Sequence, residues 1–230
     1  GRPVGQQFGY VTDGFFSQED VEKYAINKGM EGGIPDHNFS PKAGDVKYRD
    51  LNGDYKIDDK DVAAIGYPKY PLLTGNMSLG FSWNGLDFSM VWSGAFKTSR
   101  LVSSFYRVPF DTTNNRALLS YMIKDAWTPE KGNSSTAPAI SFGASKANNY
   151  KDSDLWLRDA SYVRLKNIEL GYSFPKQIVK KMHLGTLRLS VSGYNLLTFD
   201  DMGFCDPESN PDGQAYPLIK VVNFGLKVGF

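Results

Sequence analysis

The alternation of apolar and polar residues in this chain is sharpest between Asn76 and Phe96. Two alternating runs meet there at Asn84-Gly85, a dipeptide suited to a two-residue type I′ turn because both residues tolerate positive φ. Such a turn sets Trp83 opposite Leu86, Phe81 opposite Phe88, Leu79 opposite Met90 and Met77 opposite Trp92, so eight large apolar side chains share one face. The other face carries Ser78, Gly80, Ser82, Asp87, Ser89 and Ser93, with Val91 as its apolar exception. Leaving the eight in water would cost about 12–24 kcal/mol, at roughly 1.5–3 kcal/mol each. The hairpin therefore requires an apolar cover, either a second sheet or lipid.

The same one-sided alternation returns three times. In 160–174, Ile168, Leu170, Tyr172 and Phe174 oppose Asn167, Glu169, Gly171 and Ser173; in 186–197, Leu187, Leu189 and Val191 oppose Arg188, Ser190 and Ser192. In 219–230, Val222, Phe224, Leu226, Val228 and Phe230 oppose Asn223, Gly225, Lys227 and Gly229. With 76–84 and 86–96 these make about five strands. Short connections follow Trp83 and Phe174, and long ones occupy 97–159 and 198–218. A sixty-residue connection is unusual inside a compact sandwich, whereas a membrane barrel has tight turns on one side and long loops on the other. Lipid is then the expected cover, the Ser/Gly/Asp face the lumen side, and Asn84-Gly85 a tight turn on the short-loop side.

Residues 1–75 read as mostly loop, with short strands at Gly9-Tyr10 and Gly14-Phe15-Phe16. A short helix is expected to start at Ser17-Gln-Glu-Asp20 and to end before Lys28-Gly29. The run from Asn115 to Trp127 predicts an amphipathic helix ended by Pro129, and Lys176 to His183 predicts one or two helical turns.

Composition narrows the function classes. The 26 basic and 25 acidic residues nearly cancel and no basic run stands out, which argues against nucleic acid. No apolar run of about 18 residues exists for a transmembrane helix, a criterion blind to barrel strands. The single cysteine, Cys205, rules out an internal disulfide. His37 and His183 are isolated and Cys205 has no histidine nearby in sequence, so no catalytic residue and no enzyme activity are expected. A start at Gly-Arg-Pro, with neither initiator Met nor signal peptide, reads as a fragment or a processed product.

The segment Asp50 to Asp61 carries the most specific local chemistry. Side-chain oxygens fall at loop positions 1, 3, 5, 9 and 12 (Asp50, Asn52, Asp54, Asp58 and Asp61). The Lys56 carbonyl stands at position 7, with Ile57 as apolar anchor behind it. That spacing suits calcium, a hard cation taking six to eight oxygens. Tyr55 stands where an EF-hand has glycine, and Asp61 replaces the bidentate glutamate. The alternative is a solvated acidic turn bending at Asn52-Gly53.

Several stretches together resemble a known family: Gly9-Tyr10 with Asp13-Gly14, Gly44-Asp45-Val46-Lys47-Tyr48 leading into the Asp50 loop, Ile65-Gly66, Asp159 through Ile168, Gly193-Tyr194-Asn195-Leu196, Asp206-Pro207-Glu208 and the terminal Phe230. Their order is similar to the C-terminal part of the SusC/RagA-like TonB-linked outer-membrane transporters. The resemblance implies an all-β fold, the C-terminal portion of a 22-stranded transmembrane β-barrel with long extracellular loops and, in the whole protein, a plug. It implies import of an oligosaccharide or peptide across the outer membrane, a SusD-like surface lipoprotein as lid, and energy delivered through TonB. It makes Phe230 a signal for the barrel-assembly machinery, and Phe105, Tyr106 and Phe110 candidate ligand contacts in a long extracellular loop. Five strands cannot close a barrel, and open edges are not tolerated in hydrocarbon, so these residues cannot transport alone. The rival expectation is a soluble all-β, calcium-dependent glycan-binding or adhesion module that packs the Met77/Trp92 face on a second sheet.

Overall fold

The computed structural model describes residues 1–110, 118–203, 205–209 and 216–230. Two compact units emerge: one from Gly1–Tyr70 with Ser99–Arg158, the other from Pro71–Thr98 with Asp159–Ser209 and the C-terminal strand.

The first unit is built on short strands. β1 (Gln7–Tyr10) pairs antiparallel with β4 (Val62–Ile65), and β2 (Thr12–Phe15) with β3 (Val46–Tyr48). β7 (Ser99–Leu101) and β8 (Leu157–Asp159) form a further pair. The helix Gln18–Asn27 starts where expected: Ser17 and Asp20 cap each other's backbone in a capping box. Tyr10, Phe15, Val46, Tyr48 and Ile57 form the core, with Trp127 and Leu155 packed on it.

The long connection is tied into this unit rather than left as free loop. Asn149 is fully buried. Its carboxamide oxygen accepts from Val46 N–H at 2.8 Å, and its amide donates to Asp45 Oδ1 at 2.8 Å and Ser141 Oγ at 2.9 Å. Ser145 Oγ donates to Asp45 Oδ2 at 2.7 Å, and Asn148 Nδ2 donates to Val46 O at 2.8 Å. Buried backbone and carboxylate groups near 45–46 are thus satisfied by residues a hundred positions away. Helix in this connection comes in short pieces, Ser104–Arg107, Ser120–Asp125 and Gly143–Asn149. Of the helix expected over 115–127, the described part is only Ser120–Asp125, and 115–117 lie outside the described residues.

The second unit is one antiparallel sheet of β5 (Leu73–Trp83), β6 (Leu86–Phe96), β9 (Tyr162–Ser173), β10 (Thr186–Asp200) and β11 (Val221–Gly229). Their order across the sheet is β11-β10-β9-β6-β5. The hairpin register is the expected one, from Trp83↔Leu86 through Met77↔Trp92. Asn84 (φ 48°) and Gly85 (φ 87°) supply the two left-handed residues of the turn. The apolar face lies uncovered within the unit: Trp83 is 74% exposed, Phe224 86% and Leu79 48%. The helix Lys176–Lys181 spans the short connection after β9.

Two strands run beyond their expected ends. β5 starts at Leu73 rather than at residue 76, and β10 continues to Asp200 rather than stopping at residue 197, because Leu197–Asp200 pair with Tyr162–Leu165 past a bulge. On the other side of β9, Val91 faces Asn167 while the next residue, Trp92, faces Leu165, so Lys166 is an extra residue in β9. Directly opposed residues of an antiparallel pair share a face. Val163 and Leu165 therefore join Ile168, Leu170 and Tyr172 on the apolar face, and Arg164 joins Glu169 and Gly171 on the polar one.

Candidate functional site

The polar face of the sheet carries two ionic clusters. Near the short-turn end, Arg188 Nη2 donates to Asp87 Oδ2 at 2.6 Å and to Glu169 Oε1 at 2.9 Å, which joins β6, β9 and β10 across the sheet. Gly171 leaves the room for it, since a Cβ there would sit 2.3 Å from Arg188 Nη2 and 2.6 Å from Asp87 Oδ2. Near the other end, Arg164 and Lys166 meet Asp206 and Glu208. The sequence pattern does not reveal either cluster: the partners lie 101 and 42 residues apart, and nothing in the alternation matches them.

The Asp50–Asp61 loop brings its predicted residues together around its own amides. Asp50 Oδ1 accepts from Asn52 N–H and Gly53 N–H, and Asp50 Oδ2 accepts from Tyr55 N–H at 2.7 Å. Asn52 Oδ1 accepts from Asp54 N–H, Asp54 Oδ1 from Lys56 N–H and Asp58 Oδ1 from Lys60 N–H. Asp61 is fully buried and closes the loop, accepting from Leu51 N–H at 2.8 Å and Asp58 N–H at 2.9 Å. Tyr55 takes φ 62°, the left-handed conformation of the sixth loop position, and Ile57 is the buried anchor, bonded through its N–H to Asp36 O at 2.9 Å. The curl expected for a calcium loop is present, yet among the described residues no three of His, Cys, Asp and Glu are placed to hold a metal ion.

The aromatic residues proposed as ligand contacts fall into separate pairs. Phe105 and Tyr106 meet edge to face at 5.2 Å between ring centroids, while Phe110 stacks on Phe142 at 5.5 Å. Phe110 and Phe142 are exposed, whereas Tyr150 packs on the buried Trp156 at 5.4 Å. Phe230 follows the last residue of β11 with its side chain fully exposed. His183 sits at φ 58° after the helix Lys176–Lys181. His37 is buried: its Nε2 accepts from Tyr48 N–H at 3.0 Å, which leaves Nδ1 to donate to Pro35 O at 2.8 Å. Burial pushes the His37 pKa down to about 4 and keeps the ring neutral.

Comparison with known proteins gives consistent relatives. No family model matches the chain. TonB-dependent receptor P3 of Formosa agariphila is 26% identical over 249 residues, covering all of this chain and 22% of the receptor. TonB-dependent receptor SusC of Bacteroides thetaiotaomicron is 25% identical over 96% of this chain and 20% of its own length. Among solved structures, the RagAB peptide transporter matches with a TM-score of 0.68 at 18% identity, over 98% of this chain and 22% of that one. The RagAB peptide importer in its open-open state matches with a TM-score of 0.66 at 19% identity, over 98% and 22%. The chain thus spans about a fifth of the length of the curated relatives it matches.

Proposed function

We propose, from the premise that this chain is SusC/RagA-like, that it forms the wall and outer loops at the C-terminal end of a TonB-dependent importer in the outer membrane. The observation that carries the proposal is the five-stranded antiparallel sheet with an uncovered apolar face and a polar, ion-paired face. In this reading the apolar face meets lipid, and the polar face lines a lumen through which an oligosaccharide or peptide passes. The open edges of β5 and β11 pair with further strands of the intact protein, because unpaired strand edges are too costly in hydrocarbon. A SusD-like lipoprotein is the proposed lid over the 1–70 and 99–158 unit, TonB the energy source, and Phe230 the residue read by the barrel-assembly machinery.

The test is made on the full-length protein. Membrane fractionation, heat-modifiable gel migration and co-purification of a surface lipoprotein are the expected results; a detergent-free, monodisperse product would refute the membrane reading. Calcium enters the proposal as a ligand of the 50–61 loop that must compete with the loop's own amides. Calorimetric titration of wild type beside Asp50→Ala and Asp54→Ala decides it, and equal heats from all three would remove calcium from the account.

A further inference from the structure

We infer that Cys205–Ser209 is an ionic strap, pinned to the polar face of the sheet by Arg164 and Lys166 and held against that face by them; calling that side the lumen rests on the barrel reading above. The bulge makes the pinning possible. With Lys166 as an extra residue in β9, both cations point to the polar face, Arg164 at the level of Ser93 and Thr198. The strap is shaped to match. Asp206 Oδ1 accepts from Glu208 N–H at 2.9 Å, and Ser209 N–H donates to Asp206 O at 3.0 Å, a turn that presents the two carboxylates two residues apart.

Each carboxylate is then used. Arg164 Nη2 donates to Asp206 Oδ2 at 2.6 Å, and Arg164 Nη1 lies 3.0 Å from Glu208 Oε2. Lys166 Nζ reaches both Glu208 oxygens, at 2.9 and 2.8 Å. Only 1% of the Arg164 side chain is exposed, and its guanidinium lies 5.5 Å from the Tyr162 ring centroid. Two cations and two anions balance, and the strap is what removes Arg164 from water. A buried guanidinium is tolerated only while its partners stay in place, so the strap and the bulge depend on each other.

The test is hydrogen exchange on the full-length protein in detergent micelles. Asp206→Asn with Glu208→Gln is expected to speed exchange in the 205–209 backbone by about tenfold, in the range of coupled charge pairs, and to loosen the bulge at 164–167, with the rest of the strands 162–173 and 186–200 unchanged. Unaltered protection in the double variant overturns the strap. Should the double variant fail to assemble, Lys166→Gln decides: faster exchange in 205–209 supports the strap and unaltered exchange overturns it. Loss of the barrel reading shows separately, as a wild-type protein that is monodisperse without detergent.

Discussion

The adjacent residues Ser78 and Leu79 give the sharpest mutational contrast in the sheet. They sit at nearly the same depth in β5 but on opposite faces, Ser78 opposite Val91 and Leu79 opposite Met90. β5 has 11 residues. At about 3.4 Å per residue and a tilt of roughly 40°, a strand of that length rises about 28 Å, close to the roughly 25 Å apolar band of an outer-membrane barrel. Leu79 is four residues from Trp83 and so lies about 10 Å inside the band by the same arithmetic. An arginine on the lipid face at such depth is expected to cost about 2–4 kcal/mol, while Ser78→Arg faces the lumen and should cost less than about 1 kcal/mol. Leu79→Phe adds a third arm: lipid has no fixed shape to clash with, whereas overpacking a protein core costs about 1–3 kcal/mol. The assay is reversible urea unfolding of the full-length protein in lipid vesicles, followed by heat-modifiable migration. Equal costs for the two arginines, or a Leu79→Phe penalty of core size, would refute lipid as the cover.

Three further outcomes follow from local geometry. Because burial lowers the His37 pKa from 6.5 to about 4, the unfolded state binds the proton first; stability of the first unit is full above pH 6.5 and falls on acidification towards pH 4. The loss is about 3 kcal/mol, checked by pH-dependent proteolysis of the 1–70 segment, and a flat profile would contradict it. Gly85→Ala places a Cβ 2.5 Å from Ser173 O at a φ of 87°. It is expected to cost about 1–3 kcal/mol and lower the yield of heat-modifiable barrel, whereas an unaltered yield would contradict the turn. Asn149→Ala leaves Val46 N–H and Asp45 Oδ1 without their buried partner. A cost of about 3 kcal/mol should appear as protease sensitivity of the first unit, with the heat-modifiable migration retained.

The parts of this fold that were legible in the sequence are those that repeat. The alternation around Asn84-Gly85 fixes register residue by residue, since a slip of one position would turn the four large apolar side chains of one strand to the polar side. Val163 to Lys166 alternates in one phase and Asn167 to Ser173 in the other, with the adjacent polar residues Lys166 and Asn167 at the join, but two polar neighbours do not by themselves say which strand carries an extra residue. The partnership of Asn149 with Asp45 and Val46 is a match of hydrogen-bonding shapes between distant segments, invisible to periodicity. For the Asp50 loop the curl that the spacing predicts is present, while Tyr55, read as a departure from the glycine of an EF-hand, takes the left-handed conformation itself.

The most direct measurement of the central claim is a nitroxide scan along β9, residues 162–173, in the full-length protein in lipid vesicles. Collision with oxygen reports lipid and collision with a water-soluble nickel complex reports the lumen. The account predicts high oxygen and low nickel access at 163 and 165 and again at 168, 170 and 172, with the phase of alternation changing at Lys166. Nickel access at both sets of positions, or alternation that passes Lys166 without changing phase, would contradict it.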